Sequence, residues 1–367
     1  MTSSLKPVIL KTAKALGLFA LSRRLLRGKL RILCYHGFTL KDEELFVPGL
    51  FISPDEFARR MNYLARAGYS VLPLDEAFKR LKADTLPPDP VVLTIDDGFY
   101  SVYSAAKPVL ERHHFPATLY LTSYYFQKGT PIFSLAVDYM FWSTDRTSVD
   151  LSSLGVPGLP EGEIDLTDTA LRTRVAGIIS EYGQGLDGND KRTALARALG
   201  ETLGVSYDEI AASRILSLID PEELAVLRAS GVEIELHTHR HDFPAGSAAA
   251  AEAISRNRDI VEPHLPGAMR HFCYPSGVWS RDHWSTLSSA GVETATTCET
   301  GFVERDTPAF ALPRILDSAR VSQIEFEAEV SGFLELKRRL LGALRGHARG
   351  RPTAPGATAD ASSPMIG

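Results

Sequence analysis

The stretch VVLTIDDGFY, residues 91–100, joins an apolar run to two adjacent aspartates and a glycine. A short apolar run that stops at a turn residue predicts a buried strand, here over residues 91–96. Where a helix follows such a strand, the site of an α/β protein is built at the carboxyl end of the strand. Asp96 and Asp97 stand at that end. Because aspartate also caps helices well, a capping pair is the alternative interpretation of these two residues alone.

Strand-like and helix-like segments alternate on both sides of this stretch. A strand is predicted over residues 30–36, and Ser53 begins a helix that Gly68 ends. Further strands are predicted over residues 69–74, 117–122, 232–237, 271–275, 292–297 and 309–315. Such alternation predicts an α/β protein with a parallel sheet, and about seven strands favour a closed, distorted (β/α)7-type barrel over a doubly wound sheet.

The alternation breaks between residues 127 and 220. A Gly- and Pro-rich linker, LGVPGLPEGE, is followed by predicted helices around residues 171–182 and 191–203, which indicates a mostly helical insertion. The main domain then covers residues 30–318, with a terminal helix or helix pair over 319–345. Residues 346–367 are rich in Pro, Gly, Ala and Ser and are predicted to be disordered.

Composition excludes several classes of protein. The 367 residues are 44% hydrophobic, enough for a sizeable core, and the net charge of −5 does not suggest nucleic-acid binding. Cys34, Cys273 and Cys298 lack paired spacing, so free thiols and a reducing compartment are expected. No run of about 18 apolar residues predicts a membrane-spanning helix. No cleavage site follows the short apolar run at residues 15–21, so no secretory signal is predicted.

The N-terminal segment is basic. Residues 1–40 contain eight Lys or Arg and no acid. Residues 1–29 are predicted to be a basic amphipathic segment, which either lies on an anionic membrane surface or packs on the domain as a solvated helix. A protein in the cytoplasm or at the inner face of the cytoplasmic membrane is expected.

Three histidines follow the predicted strand at 232–237. His237, His239 and His241 fall within the stretch HTHRH, and neutral imidazole is a common ligand of zinc. His237 and His241 bracket three residues, so both can reach one ion from a turn. A polar surface loop is the alternative interpretation. The helical zincin motif is excluded because Thr238 stands where that motif needs a glutamate as base.

The histidine motif has no base of its own, and the paired aspartates can supply one. Asp96 and Asp97 can together supply one metal ligand and one base. A third element, RHFCYPSG at residues 270–277, is another predicted strand that ends in a Pro/Gly turn. Such a turn can direct a backbone N–H at a pocket as an oxyanion donor.

In this order, the three elements resemble the motifs of the polysaccharide deacetylases of the NodB-homology type, carbohydrate esterase family 4. The family's T-F-D-D-G is similar to T-I-D-D-G at residues 94–98, and its H-[ST]-x-x-H is similar to H-T-H-R-H at residues 237–241. One branch has F-x-Y-P-x-G, which residues 272–277 match, and an early Y-H, which residues 35–36 match. The resemblance covers roughly residues 30–126 and 220–318.

The resemblance implies a metal-dependent site in a distorted barrel of about seven strands. It implies that Asp96 is the general base and that Asp97 binds a divalent metal together with two histidines, His237 and His241. Zn²⁺ is the expected ion, with Co²⁺ or Ni²⁺ as alternatives. The Tyr274 N–H, in the turn that contains Pro275, would hold the oxyanion.

The sequence departs from the family pattern at the catalytic acid. Many members carry a late L-x-x-H histidine, but after Gly301 this chain has only His347, in its tail. His36 is the favoured acid because the matching branch places a histidine there, and His239 is the less favoured one. An arginine that orients the base in the family could be Arg314 or Arg270.

These expectations together describe an N-deacetylase of an N-acetylated carbohydrate: a polysaccharide, an oligosaccharide or a lipid-linked sugar. The rival functions are a deformylase or another amidase on the same scaffold, and a glycan-binding protein that keeps the metal site without catalysis. Retention of both Asp96 and Asp97 argues against the binding protein, because a structural site would not need the second carboxylate.

Overall fold

A computed structural model describes residues 5–348 of the chain, with side chains described to residue 343. The strands in this part are β1 (Arg31–Tyr35), β2 (Gly37–Phe38), β3 (Phe51–Ile52), β4 (Ser70–Val71), β5 (Pro90–Asp97), β6 (Ala117–Leu121), β7 (Ser148–Asp150), β8 (Glu163–Asp165), β9 (Val232–Leu236), β10 (His271–Cys273), β11 (Thr294–Thr300) and β12 (Leu312–Leu316).

The helices are α1 (Leu5–Ala15), α2 (Leu18–Leu25), α3 (Glu43–Phe46), α4 (Pro54–Arg66), α5 (Leu74–Ala83), α6 (Lys107–His113), α7 (Tyr124–Lys128), α8 (Phe133–Ser143), α9 (Thr169–Gly185), α10 (Asn189–Leu203), α11 (Tyr207–Ser213), α12 (Pro221–Ala229), α13 (Ser247–Val261), α14 (Trp284–Ser289), α15 (Gln323–Val330) and α16 (Phe333–Ala348).

Seven parallel strands form a closed barrel. Their order is β1, β12, β11, β10, β9, β6 and β5, and the ring closes where β1 pairs with β5 from Arg31↔Val91 to Tyr35↔Ile95. Strand β5 is buried along its whole length, as expected of a strand covered on both faces. The prediction of a distorted (β/α)7-type barrel is confirmed.

One predicted strand lies outside the ring. Of residues 69–74, only Ser70 and Val71 form a strand, β4, which pairs with the start of β5. Pro73 has no N–H to donate to a ladder, and helix α5 begins at the next residue. The segment therefore turns away from the barrel after two paired residues.

Between β6 and β9 the chain forms helices α7 to α11 and a short hairpin. Strands β7 and β8 pair antiparallel, with Val149 opposite Ile164, in a stretch for which no strand was predicted. The chain returns to the barrel beside the turn after β5, where the Ile219 N–H donates to Gly98 O and the Tyr100 N–H donates to Ser217 O. The end of the insertion thus supports the turn that carries the aspartates.

The segments outside the barrel are helical at both ends of the described chain. The expected C-terminal helix is a pair, α15 and α16, separated at Gly332, whose φ of 82° breaks the helix. Helix α16 continues to Ala348, beyond the predicted boundary at 345. The rest of the tail predicted to be disordered, residues 349–367, lies outside the described residues. Across residues 5–348, no helix combines the length and apolarity needed to cross a bilayer.

Candidate metal-dependent active site

The DDG turn directs two neighbouring carboxylates at one histidine. Asp97 has a φ of 73° and Gly98 a φ of 95°, so the chain leaves the extended conformation as soon as β5 ends. A Cβ on Gly98 would lie 2.2 Å from the Leu121 side chain, which explains why glycine is needed there. A ligand atom of each aspartate lies within 4.8 Å of one on His237.

Asp97, His237 and His241 form the centre of the site. Asp97 Oδ1 lies 3.3 Å from His237 Nε2 and 3.4 Å from His241 Nε2. The Nδ1 of His237 lies 2.9 Å from the Cys273 carbonyl oxygen, which can only accept, so this nitrogen carries the proton and Nε2 offers a lone pair. This is the arrangement of a metal-binding imidazole, with the second nitrogen bonded to an outer partner.

The strand end under His237 is held by Asn257 of α13. Its side-chain oxygen accepts from the His237 backbone N–H at 3.2 Å, and its amide nitrogen donates to Leu121 O at 3.0 Å. Asn257 is fully buried and thus ties β9 to the end of β6 beneath the site.

The three side chains fit a divalent cation. Both carboxylate oxygens of Asp97 are buried without a hydrogen-bond donor, which is costly for a carboxylate that has no cation beside it. Ligand atoms about 2.0–2.1 Å from one tetrahedral ion stand about 3.3–3.4 Å apart, which matches the observed separations.

Asp96 is paired with a buried arginine. Arg314 Nη1 donates to Asp96 Oδ1 and Nη2 donates to Oδ2, each at 2.8 Å. Burial would raise the pKa of Asp96, but the charge and hydrogen bonds of Arg314 outweigh it and hold that pKa well below its usual value. Asp96 is therefore ionised throughout the physiological pH range. Thr94 and the Thr297 carbonyl accept further hydrogen bonds from Arg314.

Two cysteines complete the surroundings of Asp96. The thiols of Cys34 and Cys273 lie 3.6 and 3.4 Å from Asp96 Oδ2. Burial raises the pKa of Cys34, so this thiol stays protonated and can donate to the carboxylate. All three cysteines are free, as the sequence predicts.

The structure places the two candidate acids differently. His36 Nε2 lies 3.7 Å from Asp96 Oδ2, and the His36 side chain is about 20% exposed, so it borders both the base and solvent. His239 is buried and its Nδ1 lies 2.9 Å from Ser123 Oγ. Burial and nearby cationic side chains lower the pKa of His239 to about 4, so it is neutral at pH 7 and a poor proton donor.

The turn of the third motif does not provide the predicted oxyanion donor. The Tyr274 N–H donates to Thr296 O at 3.2 Å, and the Tyr274 hydroxyl donates to Phe310 O at 3.0 Å. Both donors are engaged within the fold, so the structure offers no free Tyr274 N–H as an oxyanion donor. The buried Pro275 begins a short 3₁₀ turn, Pro275–Gly277, that closes the strand end.

The two candidate orienting arginines lie apart. Arg314 forms the pair with Asp96, whereas Arg270 pairs with Glu293 at 2.9 Å and Asp75 at 3.3 Å. Arg270 stands directly before β10, and Arg314 lies within β12. Arg270 therefore does not orient the base in this structure.

Several residues of the site were not predicted. Asn257 and the contacts of the cysteines with Asp96 carry no motif of their own, and only contacts between distant segments reveal them. Cys34 directly precedes the Y-H pair at residues 35–36, and Cys273 lies within the motif at residues 272–277. These positions were a usable signal.

The insertion contributes one wall of the site. Arg192 of α10 donates to the Tyr124 hydroxyl, and the guanidinium of Arg240 lies 4.3 Å from the centre of the Tyr124 ring. These side chains line a small cavity of about 10 Å³ that His241 also borders. The insertion thus borders the same cavity as one of the metal-facing histidines, His241.

Comparisons with known proteins agree with this geometry. The family model described as "Polysaccharide deacetylase" matches residues 190–295, which include both metal-facing histidines and the Y-P-x-G turn. The Bacillus subtilis (strain 168) protein YxkH, which has a provisional polysaccharide deacetylase name, is 36% identical over 95 residues. That match covers 26% of this chain and 32% of the relative, so the chain matches about a third of the relative's length.

Solved structures of similar fold cover most of the chain. A Streptococcus pyogenes deacetylase, PplD, in complex with acetate gives a TM-score of 0.54 at 16% identity, covering 83% of this chain and 99% of the other. IcaB from Ammonifex degensii gives 0.51 at 20% identity, covering 83% and 97%. At these identities the likeness concerns the fold. The chain is therefore similar to the polysaccharide deacetylases in two respects: residues 190–295 match the family model, and the fold matches these solved structures.

Proposed function

We propose that this protein is a metal-dependent hydrolase that removes N-acetyl groups from an N-acetylated carbohydrate, either a polysaccharide, an oligosaccharide or a lipid-linked sugar. The observation that carries the proposal is the pair of adjacent carboxylates with opposite surroundings. Asp97 faces two imidazoles and has no hydrogen-bond donor, whereas Asp96 is held by Arg314. The first is suited to a cation, and the second stays ionised and in a fixed orientation beside it.

The metal would be held by Asp97, His237 and His241. When bound, a divalent ion such as Zn²⁺, Co²⁺ or Ni²⁺ supplies Lewis acidity and lowers the pKa of a bound water. Three protein ligands leave room for water and substrate, which is the pattern of catalytic rather than structural zinc.

Asp96 accepts a proton in the proposed reaction. Arg314 fixes the plane of its carboxylate through two parallel hydrogen bonds, so the carboxylate oxygens keep one orientation. Asp96 takes the proton of the attacking water, whose oxygen forms the new bond to the acyl carbon. The carbon–nitrogen bond breaks, the amine receives a proton, and the products are acetate and a free amino sugar.

His36 is the proposed donor of that last proton. Of the two imidazoles near Asp96 in the described part of the chain, His36 is partly open to solvent, whereas His237 is buried. His36→Ala is expected to lower kcat by about 10²–10⁴-fold, the usual contribution of one acid–base group. Steady-state kinetics across pH check this, since loss of an acid also removes the basic limb of the pH–rate profile.

His239→Gln is the matched control for His36→Ala. Because the His239 ring is buried against Ser123, its replacement should change the pH–rate profile little. If His239→Gln removes the basic limb and His36→Ala does not, the assignment of the acid to His36 is wrong.

The proposed function is tested by acetate release. Purified protein is incubated with N-acetylglucosamine oligomers and with a lipid-linked N-acetyl sugar, with Zn²⁺ or Co²⁺ added and in parallel with a chelator. Release of acetate that the chelator abolishes and added metal restores is the expected result. Metal-loaded protein that releases no acetate from either substrate would overturn the proposal, and release of formate from an N-formyl analogue would then assign a deformylase.

A further inference from the structure

Helices α1 and α2 carry aliphatic side chains on their outward side. Fifteen large hydrophobic residues are exposed among the described side chains, and seven of them lie within residues 5–25. We call these seven the N-terminal apolar face: Leu5, Val8, Ile9, Leu16, Leu18, Leu21 and Leu25. Single exposed hydrophobic residues scattered over a surface are normal, but seven of them in one segment form a patch that indicates a contact site.

The spacing of these residues places them on one side of each helix. Val8 and Ile9 stand three and four positions after Leu5, and Leu21 and Leu25 stand three and seven positions after Leu18. Their exposed fractions are high, 59% for Val8, 60% for Ile9 and 63% for Leu25. Each helix therefore presents an apolar stripe to solvent.

The opposite side of the same helices is already used for packing. Leu10, Ala13 and Phe19 are buried against Ala328 of α15, and the Phe19 and Phe333 rings lie 5.2 Å apart between centroids. The helices are thus docked on the domain by one face, so the N-terminal apolar face is not the side that folding buries. A helix that is apolar on two sides is usually buried on both, so we expect a second apolar surface to cover the exposed side.

The positive charges near the N-terminal apolar face indicate what kind of surface binds there. Among the described side chains, no ion pair joins Lys11, Arg24 or Arg27 to a carboxylate, whereas Lys6 and Lys14 pair with glutamates of α15. Residues 1–40 contain no acid that could neutralise the free cations. An anionic surface with an apolar interior complements both features.

A second copy of the chain fits less well. A two-fold contact through this face would gather Lys11, Arg24 and Arg27 of both copies at one interface, to which residues 1–40 contribute no acid. Like charges brought together in this way oppose association.

We propose that the N-terminal apolar face docks the protein on an anionic lipid bilayer. Helices α1 and α2 lie in the plane of the interface, with their leucines among the acyl chains and their cations at the lipid phosphates. The contact is peripheral, since no described helix can span the membrane. This inference does not depend on the proposed hydrolase activity.

The test is co-sedimentation of the full chain with lipid vesicles. The probes are vesicles of equal parts phosphatidylglycerol and phosphatidylcholine, and vesicles of phosphatidylcholine alone. We expect binding to the anionic vesicles only, weakened by salt. The double variant Val8→Ser/Ile9→Ser is expected to bind at least about tenfold more weakly, because it removes two large apolar side chains from the membrane contact.

Two controls separate this contact from other effects. Val278→Ser removes a valine of similar exposure elsewhere, 52% exposed against 59% for Val8, and should bind like the parent protein. Lys11→Gln/Arg24→Gln should lose the preference for anionic lipid while unfolding at the same temperature as the parent.

Three results would overturn the proposal. They are no binding to the anionic vesicles, equal binding by Val8→Ser/Ile9→Ser and the parent, and a dimer in solution that this variant dissociates. The last result, measured by sedimentation equilibrium, would make the face an interface between copies of the chain.

Discussion

Asp97→Asn is expected to abolish metal binding and, with it, acetate release. Asparagine keeps the shape of the side chain but removes the charge that two imidazoles surround, and Asp97 Oδ1 is the atom within 3.3 and 3.4 Å of both Nε2 atoms. A cation site with three protein ligands that loses its sole carboxylate loses most of its affinity. The metal content of purified protein, measured by elemental analysis, is the direct check.

A second readout of Asp97→Asn does not depend on catalysis. A ligand present at 1,000 times its Kd stabilises a fold by about 4 kcal/mol, so added Zn²⁺ should raise the unfolding temperature of the parent protein but not of the variant.

Asp96→Asn is the matched control at the neighbouring position. It should keep the ion, and hence the stabilisation by Zn²⁺, while it loses most of its turnover. Full activity in Asp96→Asn would show that the base is wrongly assigned. Parental metal content in Asp97→Asn would show that the metal ligands are wrongly assigned.

Arg314→Met is expected to destabilise the fold by about 3–5 kcal/mol, since it leaves the carboxylate of Asp96 buried without its counter-charge. Arg314 is fully buried and donates two hydrogen bonds of 2.8 Å to that carboxylate. Activity should fall as well, because the orientation of the base is lost. Denaturant unfolding of the parent and the variant measures the difference in the free energy of unfolding.

The double variant Arg314→Met/Asp96→Asn distinguishes loss of the ion pair from loss of packing. Removing the stranded charge should restore part of the stability, so the two single effects should fail to add by about 1–3 kcal/mol. Strict additivity of the two changes would show that Arg314 stabilises the barrel by packing alone.

The effect of Arg314→Met should also depend on pH. In the parent, the lowered pKa of Asp96 means that the pair stabilises the fold above the unfolded pKa of about 4 and is lost only as pH falls further. In the variant, burial raises the pKa of Asp96 and only the weaker effects of His36 and His237 oppose it, so the penalty is largest at neutral pH and shrinks as the carboxyl is protonated. A destabilisation that stays constant from pH 7 to about pH 4 would contradict this account.

The sequence by itself determined the features that depend on local pattern. Strand periodicity, the glycine after two aspartates and the spacing of His237 and His241 predicted the barrel, and they predicted that these side chains stand at strand ends. This worked because the carboxyl ends of parallel strands meet at one face, so that motifs far apart in sequence share a site. Even the insertion could be recognised, since the alternation of strands and helices stops there.

Only the tertiary structure decided which groups became partners. The choice between Arg314 and Arg270, the engagement of the Tyr274 N–H with Thr296, and the closeness of both Cys34 and Cys273 to Asp96 depend on which strands are neighbours around the ring. The same holds for the N-terminal helices, whose composition left a membrane surface and packing on the domain as alternatives. The structure shows packing by one face and an exposed apolar stripe on the other. Local pattern specifies the conformation of a segment, whereas pairing, burial and charge compensation are set by distant parts of the chain that meet only in the folded protein.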